Sequence, residues 1–148
     1  MDLGALYEEV ILDHNRSPRN WGTIPEGRHI EGRNPLCGDK ISLSLQVDGD
    51  VITDIRFTGE GCAISKASAS MMTQAIKGKT RAEAEHLFEG FHNLVTGRTA
   101  EALPDKSLGS LRAFAGVARF PTRVKCATMA WHALKEAMSD EREATGNS

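Results

Sequence analysis

Residues 40–58 read KISLSLQVDGDVITDIRFT, and this stretch decides the fold. In its first half polar and apolar side chains alternate, which places four apolar residues on one face: Ile41, Leu43, Leu45 and Val47. A period of two is typical of a β-strand with one buried face. The turn signal at residues 48–50 is followed by renewed alternation up to Thr58. The stretch therefore predicts a β-hairpin at the centre of an antiparallel sheet.

Helical periodicity flanks the hairpin on both sides. Apolar side chains recur at three- and four-residue spacing in residues 3–14, 62–78 and 121–138, as on amphipathic helices. Strands early in the chain and helices late in it predict an α+β fold, with a small antiparallel sheet of about three strands packed against several helices.

The remaining segments carry weaker signals. Residues 21–35 hold three glycines and two prolines, which favours a surface segment or one short edge strand. Thr80 and Glu83 have the spacing of a capping box, which predicts a short helix through Phe88. Residues 90–116 mix short apolar groups with Gly, Pro and Ser and favour short helices and loops.

Length and composition narrow the class of protein. With 148 residues, 40% of them hydrophobic, we expect one domain over residues 1–140 and a polar, disordered tail over 141–148. The 18 basic and 20 acidic residues are spread along the chain, so no positive field favours nucleic acid. The absence of a signal peptide or a long apolar run predicts a cytoplasmic protein without a membrane partner.

The cysteines stand in unusual surroundings. Cys37 and Asp39 flank Gly38, so that one turn offers a sulfur and an oxygen ligand. Cys62 follows two glycines and opens a helix, where unpaired amides and the helix dipole favour a thiolate. Cys126 lies in the first turns of the last helix at the edge of its apolar face, whereas His132 is expected on the solvent side. For each cysteine the alternative is a small buried hydrophobe, and for Asp39 it is an ordinary turn residue.

All three thiols lie at ends of elements, and such ends gather readily at one pole of a small domain. Three thiolates and a carboxylate suit a tetrahedral zinc ion. We therefore predict a metal site formed by Cys37, Asp39, Cys62 and Cys126. Three neighbouring cations would offset its negative charge: Lys40, Arg123 and Lys125.

Three motifs carry a family resemblance: NPLCGD at residues 34–39, GEGCAIS at 59–65 and RVKCAT at 123–128. They closely resemble the cysteine motifs of the IscU/SufU/NifU N-terminal family of iron–sulfur-cluster assembly proteins, in the same order. The resemblance covers nearly the whole chain and implies a SufE/NifU-like fold. The chain is more similar to the SufU branch, because Lys125 stands where the IscU pattern has a histidine.

The SufU resemblance implies a zinc-dependent sulfurtransferase. In such a protein Cys37, Asp39, Cys62 and Cys126 bind zinc, and Cys37 accepts sulfur from a pyridoxal-phosphate cysteine desulfurase similar to SufS. The sulfur then passes to downstream cluster-assembly proteins. Arg123 and Lys125 are candidates to support the developing anion or the surface of the partner; the alternative is that they are solvated cations.

Three alternatives stay open at this point. A scaffold could assemble a [2Fe–2S] cluster, or hold iron, on the same four ligands. A structural zinc module could bind a partner without chemistry, although such sites are normally closed by Cys and His alone. A thiol hydrolase would need a histidine base, and none of the five histidines has a spacing that predicts one.

Overall fold

The sheet consists of three antiparallel strands in the order β1-β2-β3. The computed structural model describes residues 3–34, 38–96, 111–114, 117 and 120–147. Its strands are β1 (Arg28–Asn34), β2 (Asp39–Asp48) and β3 (Val51–Glu60). Asp48 pairs with Val51, so the hairpin turns on two residues. The predicted hairpin is confirmed, and β1 is the short edge strand expected within residues 21–35.

Four helices lie in this described part of the chain: α1 (Leu3–Arg16), α2 (Ala63–Ile76), α3 (Arg81–Thr96) and α4 (Pro121–Asn147). The predicted α+β class is confirmed. The capping box is also present, because Thr80 Oγ1 accepts from the Glu83 amide at 3.1 Å and Glu83 Oε1 accepts from the Thr80 amide at 3.0 Å. None of the described helices combines the length and apolar character needed to cross a membrane.

The core lies between the sheet and the helices α2 and α4. Ile41, Leu43 and Leu45 of β2 are all buried there, as the alternation predicted. The Ser68 hydroxyl of α2 donates a hydrogen bond to the Ala127 carbonyl oxygen of α4. Since both helices also pack on the sheet, the starts of β2, α2 and α4 are held close together.

Two helices extend further than the sequence predicted. The prediction of a short helix ending at Phe88 is wrong: α3 continues to Thr96. Phe91, Leu94 and Val95 are buried and extend its apolar face, and this packing outweighs the unfavourable helix propensity of the intervening glycine. The stacking of Phe91 on Trp131 of α4, with ring centroids 4.8 Å apart, joins α3 to the core.

The backbone of α4 is helical to Asn147, whereas we expected a polar, disordered tail over residues 141–148. This segment begins with Glu-Arg-Glu-Ala at residues 141–144. These residue types have high helix propensity, which accounts for the extension of the helix. Ser148 lies outside the described residues. Most of the segment 97–119 also lies outside them, apart from a 3-10 turn at residues 111–114 and the single position 117.

A buried histidine ties α1 to α2. His14 is 5% exposed, and its Nδ1 lies 2.7 Å from the Ser70 hydroxyl oxygen. The same oxygen accepts the Arg19 backbone amide at 2.8 Å. Burial lowers the pKa of His14 from its ordinary value of 6.5, and Arg19 lowers it further, while the charge of Asp13 acts in the opposite direction.

Acid should therefore destabilise the fold through His14. Because the folded-state pKa is depressed, the contribution of neutral His14 is complete above the unfolded pKa and is lost as the pH falls through the folded one. Urea unfolding should show a free energy of unfolding that decreases from pH ~7.5 to pH ~5.5. His14→Gln should flatten this decrease. His29→Gln, on the exposed side of β1, serves as the control. A His14→Gln variant with the pH dependence of the parent protein would contradict the assignment.

Candidate metal centre

The first predicted ligand is Asp39, the residue that opens β2. Its side chain is 2% exposed, although aspartate is rarely found buried without partners. Asp39 pairs with Asn34, the last residue of β1, at this end of the sheet. The start of β2 therefore presents a carboxylate to the interior.

Cys62 is the N-cap residue of α2, as the sequence predicted. Its amide donates to Asp39 Oδ1 at 2.9 Å, and its Sγ lies 3.4 Å from Asp39 Oδ2. The Sγ atom also accepts the amide of Ser65 at 3.4 Å. The unpaired amides at the helix N-terminus thus bind one carboxylate oxygen and one sulfur.

Cys126 lies in the second turn of α4 and is 4% exposed. Its thiol hydrogen-bonds the Asp39 carboxylate. The ligand atoms of Asp39, Cys62 and Cys126 all lie within 4.8 Å of one another. The structure therefore brings together three of the four residues predicted as ligands. The fourth, Cys37, lies outside the described residues.

The spacing between two of these atoms, Cys62 Sγ and Asp39 Oδ2, suits a tetrahedral ion. With Zn–S near ~2.3 Å and Zn–O near ~2.1 Å, two tetrahedral ligands should be about 3.6 Å apart. The Cys62 Sγ to Asp39 Oδ2 distance of 3.4 Å is close to this value. Two thiols and one carboxylate leave one position for a fourth ligand, so the donor set fits zinc, and thiolates also bind iron–sulfur clusters.

The Asp39 carboxyl is held in its charged form. Burial alone would raise its pKa, but hydrogen bonds from the Ser65 hydroxyl, the Cys62 amide and the thiols of Cys126 and Cys62 outweigh burial and lower the pKa. A carboxylate that accepts several hydrogen bonds is stabilised as an anion. The site therefore offers an ionised oxygen donor at neutral pH.

Ser65 is a site residue that the sequence reasoning missed. Its hydroxyl donates to Asp39 Oδ2 at 2.7 Å, and its amide bonds the Cys62 sulfur as described above. The sequence could have indicated Ser65 through its position three residues after the N-cap. The amide and side chain of a residue at that position commonly hydrogen-bond back to the capping residue.

Two of the three cations beside the predicted ligands have other partners. Lys40 Nζ lies 3.3 Å from Glu31 Oε1, and the Arg123 guanidinium lies 4.6 Å from the centre of the Phe120 ring. Lys125 is exposed on α4. Their predicted roles in offsetting charge and supporting sulfur transfer stay predictions. His132 is exposed, as predicted, and its ring contacts Phe88 rather than the three ligands.

Gly61 makes room for the carboxylate. Its φ is +138°, a value that side chains rarely adopt, and a Cβ atom built there would lie 2.7 Å from Asp39 Cγ. Only glycine combines this backbone conformation with such a close approach. The glycine before Cys62 is therefore required by the position of Asp39.

A family model of the NifU-like N-terminal domain matches residues 6–146. The chain belongs to this family. The resemblance drawn from the three cysteine motifs is thus confirmed, and the family match spans the sheet, all three described ligand positions and Cys37.

Relatives in this family carry two kinds of name. The zinc-dependent sulfurtransferase SufU of Bacillus subtilis is 44% identical over 140 residues, covering 95% of this chain and 94% of SufU. The iron–sulfur cluster assembly scaffold protein IscU of Streptococcus pyogenes is 46% identical over 136 residues, covering 92% and 84%. A crystal structure from Fervidobacterium islandicum, of a protein proposed as a cluster assembly scaffold for the SUF system, has a TM-score of 0.80 and 35% identity, covering 88% of this chain and 95% of that one.

Gly61→Ala should disrupt the candidate metal centre. The alanine would be strained at a positive φ and would push Asp39 away, so we expect a loss of about 1–3 kcal/mol in the free energy of unfolding and weaker zinc binding. The matched control is Gly49→Ala in the hairpin turn, where φ is +63° and a Cβ meets nothing within 4 Å. Urea unfolding and competition with a chromophoric zinc chelator measure both effects. Equal zinc affinity in the two variants would contradict the role given to Gly61.

Proposed function

We propose that this protein acts in iron–sulfur-cluster assembly as a zinc-bound sulfur acceptor. It receives persulfide sulfur from a pyridoxal-phosphate cysteine desulfurase in the cytoplasm and passes the sulfur to downstream cluster-assembly proteins. The observation that carries this proposal is the grouping of Asp39, Cys62 and Cys126, whose ligand atoms lie within 4.8 Å of one another. The similarity to a protein named as a zinc-dependent sulfurtransferase supports it.

Cys37 is the proposed fourth ligand. It stands two residues before Asp39, so the chain length alone limits the distance between the two Cα atoms to about 7 Å. A cysteine side chain at that distance is within reach of a common metal ion. With Cys37 added, three sulfurs and one oxygen complete a tetrahedral set.

Cys37 is also the proposed sulfur acceptor. Cys62 is engaged as the N-cap of α2 and accepts the Ser65 amide, and Cys126 is buried on α4. Moving either thiol out to a partner would disturb a helix. Cys37 stands in the sequence between Asn34, where β1 ends, and Asp39, where β2 begins, so it is part of neither of the helices that hold the other two thiols.

The transfer itself is a thiol exchange. The Cys37 thiolate attacks the terminal sulfur of the persulfide on the desulfurase, the S–S bond of that persulfide breaks, and its electron pair leaves with the desulfurase cysteine as a thiolate. Cys37 then carries the persulfide. A bound zinc ion would supply stabilisation of the cysteines as thiolates. Arg123 and Lys125 are both exposed in the first turns of α4. They are proposed to stabilise the anion that develops during the transfer or to contact the surface of the desulfurase.

The second candidate function is assembly of a [2Fe–2S] cluster on the same residues. It is favoured by the relative named as an IscU scaffold at 46% identity, and thiolates are the usual ligands of such clusters. The lysine that precedes Cys126 argues for the zinc-bound acceptor, because the IscU pattern has a histidine there. A purely structural zinc module fits less well, since the buried carboxylate departs from the Cys and His ligands of closed sites.

Metal content and persulfide mapping should separate these functions. Purified protein should contain zinc in a one-to-one ratio, and incubation with a cysteine desulfurase and labelled cysteine should place the label on Cys37, as located by mass spectrometry. Cys37→Ala should abolish uptake, whereas Ser44→Ala, a buried residue of the sheet, should retain it.

Three other outcomes would contradict the proposed relay. Iron in stoichiometric amounts with a visible chromophore would favour the scaffold. Zinc without any sulfur uptake would favour the structural module. Uptake that persists in Cys37→Ala would show that another thiol is the acceptor.

A further inference from the structure

We propose that Ser65 is a positioning residue that fixes the Asp39 carboxylate as a one-oxygen ligand of the metal. The inference rests on the metal site of the proposed function and adds to it a residue outside the predicted ligand set. Ser65 itself does not bind the metal; it acts through Asp39.

The two oxygens of Asp39 have different partners. Oδ1 accepts the Cys62 amide at 2.9 Å. Oδ2 accepts the Ser65 hydroxyl at 2.7 Å and lies 3.4 Å from the Cys62 sulfur. Each carboxylate oxygen has two lone pairs, so Oδ2 keeps one lone pair for a metal ion on the side of the thiols. Hydrogen bonds at both oxygens oppose rotation of the carboxylate plane.

Ser65 is itself held firmly. It is 1% exposed and belongs to the first turn of α2, with its amide on the Cys62 sulfur at 3.4 Å and its hydroxyl oxygen 3.5 Å from that sulfur. One residue therefore contacts two proposed ligands, one through its backbone and one through its side chain. Groups that orient metal ligands in this way reduce the rearrangement needed when the ion binds.

The other buried serines of α2 described below do not contact Asp39. The contact of Ser65 is therefore not a general result of serines packing on this helix. The Ser68 hydroxyl donates to the carbonyl oxygen of Ala127, and the Ser70 hydroxyl oxygen accepts the amide of Arg19 and contacts His14. Both hydroxyl groups join α2 to other segments of the chain. Ser70→Ala therefore provides a control that removes a buried hydroxyl from the same helix without touching Asp39.

Zinc affinity is the first measurement. Ser65→Ala should weaken zinc binding about 10- to 100-fold, as is common when a group supporting a metal ligand is lost. The affinity is measured by competition with a chromophoric chelator. Ser70→Ala should bind zinc within about 2-fold of the parent protein. In the Co²⁺-loaded protein, the visible ligand-field bands should change in position or intensity for Ser65→Ala and not for Ser70→Ala.

A double-mutant cycle tests whether Ser65 acts through Asp39. In the Asp39→Ala background, Ser65→Ala should cause less than about a 2-fold further loss of zinc affinity, because its target is already absent. An equal loss in both backgrounds, or no loss in the single variant, would overturn the inference while leaving the metal site in place. A parent protein that binds no zinc would overturn the proposed function as well.

Discussion

A buried carboxylate at the start of β2 is the constraint on which the surrounding structure depends. Asp39 is almost completely buried, and a charge in that position is costly unless it is hydrogen-bonded. The Cys62 amide and the Ser65 hydroxyl supply those bonds. Gly61 leaves the space that the carboxylate needs. The N-terminus of α2 is thereby fixed against the start of β2.

The same arrangement explains how residues from distant parts of the chain meet at the candidate metal centre. Cys62 is placed by helix capping, which is a local property of α2. Cys126 is placed by the packing of α4 on α2 and the sheet, which includes the hydrogen bond from Ser68 to Ala127. In our proposal these three ligands form a stable base, and Cys37 is the ligand that exchanges. A sulfur carrier needs both properties, because it must keep its metal site while one thiol reacts.

The sequence predicted those parts of the fold and of the candidate site that depend on local sequence patterns. The alternation from Ile41 to Val47 predicted the hairpin, and the apolar spacing in residues 62–78 predicted the helix that Cys62 opens. It did not reveal the contact of Ser65 with Asp39, because the two residues are far apart in the chain and meet only through tertiary packing. The pairing of Lys40 with Glu31 was likewise hidden, since it requires the register of β1 on β2. The length of α3 was underestimated because packing of its apolar face outweighed the weak helix propensity of glycine.

The coordination of zinc in the wild-type protein tests the central claim most directly. X-ray absorption at the zinc edge should show three sulfur neighbours near ~2.3 Å and one oxygen neighbour near ~2.0–2.1 Å. This shell corresponds to the three cysteines together with Asp39. A shell of sulfur alone would remove Asp39 from the metal. A shell of nitrogen and oxygen alone would contradict the account altogether.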